Sequence, residues 1–143
     1  VKIAIGSDHA GYYLKEDIKK YLEEKEIEVI DLGPSNDNRV DYPDYGHAVG
    51  HKVIDDKLDF GIVICGSGIG ISIAANKVKG IRAALCSEPY SAKLSRRHNN
   101  ANVLAMGARL IGLDMAKEIV DAFLSEEFEG GRHINRVEKI EEE

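Results

Sequence analysis

The sequence is poor in the features that mark specialised protein classes. Only two cysteines occur, Cys65 and Cys86, too few for a disulfide-stapled scaffold. Both fall in apolar runs, where free thiols usually pack as small hydrophobes and stay reduced. No apolar run approaches the roughly eighteen residues needed to cross a bilayer, and Val1 to Gly6 is too short for the apolar core of an export signal. Positive charge is not in excess. Nineteen Lys and Arg face twenty-five Asp and Glu, giving a formal charge of -6 and a pI near 5.4. That excludes the broad basic surface of a duplex binder, so an anionic ligand would need a local cluster of arginines. Internal repeats are missing, and low complexity is confined to the terminal Glu141, Glu142 and Glu143. The expectation is a cytoplasmic protein with no nucleic-acid or membrane partner.

What is present suits one globular domain. The chain has 143 residues, 43% hydrophobic and 31% charged, a size at which about two thirds of the unfolded surface is buried on folding. Val1 to Gly6 reads as a strand, and Gly11 to Lys25 carries Leu14, Ile18, Tyr21 and Leu22 at helical spacing. Ile27 to Leu32 is a second strand, followed by the turn cluster Gly33 to Asn38 and a helix over Tyr45 to Ile54. Phe60 to Cys65 is apolar without alternation, as expected of a central parallel strand covered on both faces. Ile81 to Cys86 and Val103 to Met106 complete five strands. Helices follow each, with Ser87 as the N-cap and Pro89 in the first turn of the fourth, and Leu113 to Leu124 forming the fifth.

Strand–helix alternation with right-handed crossovers predicts a doubly wound, Rossmann-like three-layer α/β/α sandwich with a five-stranded parallel sheet. One domain spans residues 1–143. Beyond Glu129-Gly130-Gly131 lies an arm, 130–143, whose apolar Ile134, Val137 and Ile140 recur at every third position. A short helix cannot bury such a stripe alone, so the arm is expected to dock on a second subunit.

In open α/β sheets ligands sit beyond the carboxyl ends of the strands. The residues there are Ser7, Asp8 and His9, then Cys65 to Gly70, Ser87, and Gly107 to Arg109. Gly66-Ser67-Gly68-Ile69-Gly70 joins a buried strand to a helix and can aim backbone N–H groups at an anion or a developing oxyanion. It lacks the third glycine of a dinucleotide fingerprint and the Lys-Ser or Lys-Thr of a P-loop. Cys65 precedes the loop, where a thiol is biased toward thiolate and can serve as base or nucleophile. A phosphatase loop would need arginine at position 71, which is isoleucine.

His9 and His98 fall at element ends beside Asp8, Asn99 and Asn100, a setting for acid–base work. His47 and His51 are four apart but lack the glutamate of a zinc-protease motif, so no metal site is expected. Arg132 and Arg136 would share one face of the tail helix, as a phosphate grip or as a solvated charged surface.

The stretches GSDHAG, DYPDY, ICGSGIGISIAANK, IRAALCSEPYSAKLSRRHNNANVLAMGAR and EGGRHINRV, in this order from end to end, resemble the type B ribose-5-phosphate isomerases, a family that includes the galactose-6-phosphate isomerase subunits. The resemblance implies a homodimer or tetramer with active sites shared between subunits, no metal and no cofactor. It implies interconversion of ribose 5-phosphate and ribulose 5-phosphate in the pentose phosphate pathway. It assigns Cys65 as the base between C2 and C1, His98 as the ring-opening acid or base, and Asp8 with His9 as sugar contacts that assist opening. Gly66, Ser67, Gly68, Ile69 and Gly70 match the loop that holds the enediolate, with Ser67 reaching the hydroxyls. Tyr42, Asn99, Arg109, Arg132 and Arg136 match ligand-binding positions. Ile71 stands where some members carry a glutamate base, which puts this chain with the cysteine-dependent branch. A six-carbon sugar phosphate such as allose 6-phosphate or galactose 6-phosphate is the alternative substrate. A receiver-type signalling domain is disfavoured, because Cys65 and Gly107 stand where its aspartate and lysine would be.

Overall fold

The computed structural model describes all residues from Val1 to Glu143. Five strands form one fully parallel sheet: β1 (Lys2–Ser7), β2 (Glu28–Asp31), β3 (Phe60–Cys65), β4 (Ala83–Leu85) and β5 (Val103–Gly107), in the order β2-β1-β3-β5-β4. The central strand is β3, whose apolar run is buried on both faces, as its lack of alternation requires. In-register pairs such as Ile5 with Ile62 and Ile64 with Met106 align β1, β3 and β5, so their carboxyl ends open onto one edge.

Six helices accompany the sheet: α1 (Tyr12–Glu24), α2 (Tyr42–Asp55), α3 (Ile69–Asn76), α4 (Pro89–Asn99), α5 (Leu113–Ser125) and α6 (His133–Glu141). Ile18 and Leu22 of α1, Ala92 of α4 and Ile119 and Phe123 of α5 join one side of the sheet in a single core. Val49 and Val53 of α2 and Ile71 and Ala75 of α3 form the core on the other side. This is the three-layer sandwich expected from strand–helix alternation.

Some local expectations need correction. The second helix starts at Tyr42, three residues before Tyr45, with Pro43 in its first turn where no N–H is needed. The fourth strand shrinks to Ala83–Leu85, and Cys86 lies just beyond it, buried, with burial pushing its thiol up. The cap of α4 is Glu88 rather than Ser87; its carboxylate accepts from the N–H groups of Tyr90 and Ser91 at 2.7 and 2.8 Å. A glutamate at the cap thereby satisfies two of the open donors of the first turn.

The first helix buries a charge that its apolar pattern does not announce. Lys15 is wholly enclosed, and its Nζ donates to Glu16 and to both carboxylate oxygens of Asp31 at 2.8 to 3.0 Å. Burial favours the neutral acid at Asp31, but the bonds from Lys15, the Gly33 amide and Lys19 outweigh it and hold the carboxyl below its ordinary value. The cluster ties α1 to the end of β2.

The tail helix α6 lies on α4 of its own chain through His133 and Val137. Arg82 Nη1 donates to Glu141 at 2.6 Å near its end. Ile134 and Ile140 remain 47% and 53% exposed, so two of the three stripe residues find no full cover within the chain.

Candidate active site

Strand order reverses between β1 and β3, and there a cleft of about 480 Å³ opens at the carboxyl edge of the sheet. Asp8 enters it from the end of β1, Tyr42 from the first turn of α2, and Cys65 from the end of β3. Gly66, Ser67, Ile69 and Gly70 supply the loop, and Arg109 with Leu110 closes the side beyond β5.

The glycine loop is shaped by close backbone approaches. A Cβ at Gly107 would lie 2.5 Å from the Ser67 carbonyl oxygen, and one at Gly66 would meet the Arg109 guanidinium at 3.2 Å. The N–H groups of Ala108 and Arg109 donate to the carbonyls of Cys65 and Gly66, both at 2.9 Å. These contacts lock the loop to the end of β5 and lay Arg109 over it. Gly68 adopts φ +77°, the left-handed region that glycine enters without strain, and begins α3.

That turn points the Gly68 N–H at Cys65, whose Sγ accepts it at 3.1 Å. An amide at a helix N-terminus interacts more strongly with a thiolate than with a thiol. Ser67 Oγ accepts from the Ile69 N–H at 3.2 Å, which fixes its hydroxyl at the cleft. Asp8 is only 7% exposed and accepts from the Gly11 N–H at 3.0 Å, so one carboxylate oxygen serves the entry to α1. Tyr42 packs edge-on to Gly70; a Cβ there would come within 2.6 Å of its ring. His9 lies beside the cleft with Nδ1 3.2 Å from both the N and the O of Val40, which anchors its ring on the loop before α2.

His98, Asn99, Arg132 and Arg136 do not join this group within the chain. Helix α4 runs back along the sheet and ends at Asn99, and the Asn102 carbonyl beyond it accepts from the Gly61 N–H at the start of β3. The rise from Gly61 to Cys65 alone is roughly 13 Å. His98 therefore sits at the amino edge of the sheet and Cys65 at the carboxyl edge. The direction of α4 thus separates His98 from Cys65 within one chain.

At the amino edge the second group is itself ordered. The rings of His98 and His133 stack at a centroid distance of 4.5 Å and an interplanar angle of 18°. Glu129 Oε1 lies 3.9 Å from His98 Nε2 and 3.7 Å from His133 Nε2. Burial lowers the pKa of His133, and His98, Arg132 and Arg136 add to that, against the opposing pull of Glu129. These three side chains bring potential ligand atoms within 4.8 Å of one another. Their nearly parallel rings do not converge their lone pairs on one point, and the arginines alongside suit an anion better than a cation. His47 and His51 are both exposed on α2.

A larger cavity of about 730 Å³ lies on the same side, between the α3–β4 connection and the end of α6, and includes Arg82, Asn99 and Ile140. Of the expected ligand residues only Asn99 reaches it. Sequence reasoning missed Leu110 in the cleft, although it directly follows Arg109. It also missed Glu129 and His133, whose pairing with His98 depends on the packing of α6.

Residues 3–140 match the family model described as Ribose/Galactose Isomerase. The chain is 57% identical over 139 residues to ribose-5-phosphate isomerase B of Escherichia coli, covering 97% of this chain and 93% of the relative. Its fold superposes on ribose-5-phosphate isomerase B of Clostridium thermocellum with a TM-score of 0.98 at 56% identity, covering 99% and 96% of the two chains. The Mycoplasma genitalium enzyme, solved with bound ribulose-5-phosphate, gives a TM-score of 0.94 at 46% identity, covering 99% and 94%.

Proposed function

The chain belongs to the ribose/galactose isomerase family, and from that premise we propose that it interconverts ribose 5-phosphate and ribulose 5-phosphate through an enediolate, with Cys65 as the proton-transfer base. The observation that carries this reading is the Gly68 N–H on Cys65 Sγ at the floor of the cleft. The bound ribulose-5-phosphate of the Mycoplasma genitalium relative supports the substrate.

An aldose–ketose isomerase opens a sugar ring, moves a proton between C2 and C1, stabilises the enediolate and grips the phosphate. Cys65 thiolate takes the C2 proton, and the electron pair left on C2 forms the C1–C2 double bond as negative charge moves to the C1 oxygen. Amides of the Gly66–Gly70 loop and the Ser67 hydroxyl hold the enediolate oxygens. The thiol returns the proton to C1, and the proton on the C2 oxygen passes to the C1 oxygen, which leaves the ketose. Asp8, His9 and Tyr42 contact the sugar, and Arg109 reaches across the loop toward its charged end.

His98, Asn99, Arg132 and Arg136 act from a second copy of the chain. His98 moves the proton of ring opening, and the arginines hold the phosphate. Three features support a shared site: the separation of the two groups along the sheet, the uncovered Ile134 and Ile140 of the arm, and the exposed Ile69 of the cleft together with exposed Ile73, Leu85 and Tyr90. The assembly is a homodimer or a tetramer.

Exchange of the C2 proton of ribose 5-phosphate with solvent deuterium, followed by NMR, tests the reading. Wild type exchanges it and Cys65→Ala does not, while sugar phosphate still binds. Exchange that survives in Cys65→Ala overturns the base, and exchange of allose 6-phosphate alone overturns the substrate.

A further inference from the structure

The stacked pair at the amino edge assigns a role to a residue that the chemistry above leaves unused. We propose that His133 is a positioning residue, the platform that fixes the ring plane of His98. The inference rests on the reading of His98 as the ring-opening group.

The two imidazoles differ in freedom. His98 is 37% exposed and could swing about its side-chain bonds, whereas His133 is 8% exposed and held at the first turn of α6. Face-to-face contact at 4.5 Å and 18° transfers the order of the buried ring to the open one. His133 reaches this place because Gly130 and Gly131 take φ +69° and +55°, left-handed values that turn the chain back from α5 onto α4. The turn starts from a fixed point, since the Glu129 N–H donates to the Arg97 carbonyl at 3.0 Å. Arg97 in turn grips Glu126 with two bonds of 2.9 Å.

Burial first, and neighbouring charge second, bias the platform toward its neutral form. The groups facing His133 are His98 from α4, Glu129 from the turn, and Arg132 and Arg136 from its own segment. Two guanidiniums and a second imidazole outweigh one carboxylate and add to the effect of burial. His133 Nε2 is buried and makes no hydrogen bond within the chain, so what the ring offers His98 there is its flat face. A ring held in one plane aims its proton along one line, and misplacement by about 1 Å can cost on the order of a hundredfold in rate.

The test is steady-state kinetics of ribose 5-phosphate isomerisation with His133→Ala and His133→Phe, each checked for folding by circular dichroism and for assembly by size exclusion. His133→Ala lowers kcat by at least about tenfold with KM within about twofold of wild type, and His133→Phe, which can still stack, recovers most of kcat. A rise in KM with kcat intact would make His133 a phosphate ligand and overturn the proposal. Equal loss in both variants, or no loss in either, overturns it as well. If His133→Ala fails to fold, His133→Phe alone decides, because the proposal requires it to be active. An inactive wild type, by contrast, rejects the isomerase reading itself.

Discussion

The Gly68 amide and the Cys65 sulfur are 3.1 Å apart, joined across a turn that requires φ +77°. Space and backbone agree in demanding glycine: an added Cβ would lie 2.5 Å from Leu85 Cδ1 and 2.7 Å from the Met106 carbonyl carbon. Gly68→Ala is therefore expected to strain the loop and tilt the amide away from the sulfur. The expected outcome is a loss of kcat of about a hundredfold or more, the scale for removing a preorganised donor. Alkylation of Cys65 by iodoacetamide, followed by mass spectrometry, should slow in parallel.

Separation of Cys65 and Arg136 onto opposite edges of the sheet makes a prediction about mixtures. In the proposed shared-site dimer, Cys65→Ala and Arg136→Ala should each be impaired alone, the first in kcat and the second mainly in KM. Mixed dimers carry one site with both groups intact, so activity at low substrate should recover toward half of wild type. Activity of isolated, mass-verified heterodimers checks this, and no recovery would place each site within one chain.

Tyr42 stands against Gly70 closely enough that Gly70→Ala, with its Cβ at 2.6 Å from the ring, must push the tyrosine aside. Because Tyr42 forms one wall of the cleft, the expected effect is a rise in KM for ribose 5-phosphate. A change in kcat alone would argue that the loop amides, rather than the tyrosine, had moved.

Asp31 gives the fold a pH dependence. Its folded carboxyl titrates below the ordinary value of 3.8 because Lys15, the Gly33 amide and Lys19 bind the charged form more strongly than burial opposes it. The unfolded chain binds the proton more readily, so the contribution is complete above 3.8 and fades as pH falls through the lower folded value. Urea midpoints measured across acid pH should fall less steeply in Asp31→Asn. At neutral pH that variant should lose about 3 kcal/mol, since Lys15 is left with only Glu16 in a buried position.

Much of the architecture was legible from local pattern. The unbroken apolar run of Phe60 to Cys65 identified the central strand, and Gly66 to Gly70 announced the turn that builds the cleft. Boundaries were less legible where a side chain overrode propensity: Glu88 caps α4 in place of Ser87, and Lys15 occupies the buried face of α1 because Asp31 waits beneath it. The place of the second group was not legible from the strand pattern, for a topological reason. A residue at the end of a helix returns to the amino edge of the sheet, so the proximity of His98 to strands in sequence gave no proximity to Cys65 in space. The stack of His133 on His98 needed the packing of α6, which no periodicity in nine helical residues encodes.

The proposed division of one sheet into a proton-transfer edge and an anion-gripping edge has an evolutionary consequence. The cleft draws on β1, α2, β3 and the turn after β5, whereas the other group draws on α4 and α6. Substitutions that reshape the grip need not disturb the thiol, and those that alter the thiol need not disturb the grip. After gene duplication, two diverging copies could each keep only one edge in working order and still assemble one complete site between them. Such a pair would be bound to persist together, each copy indispensable to the other.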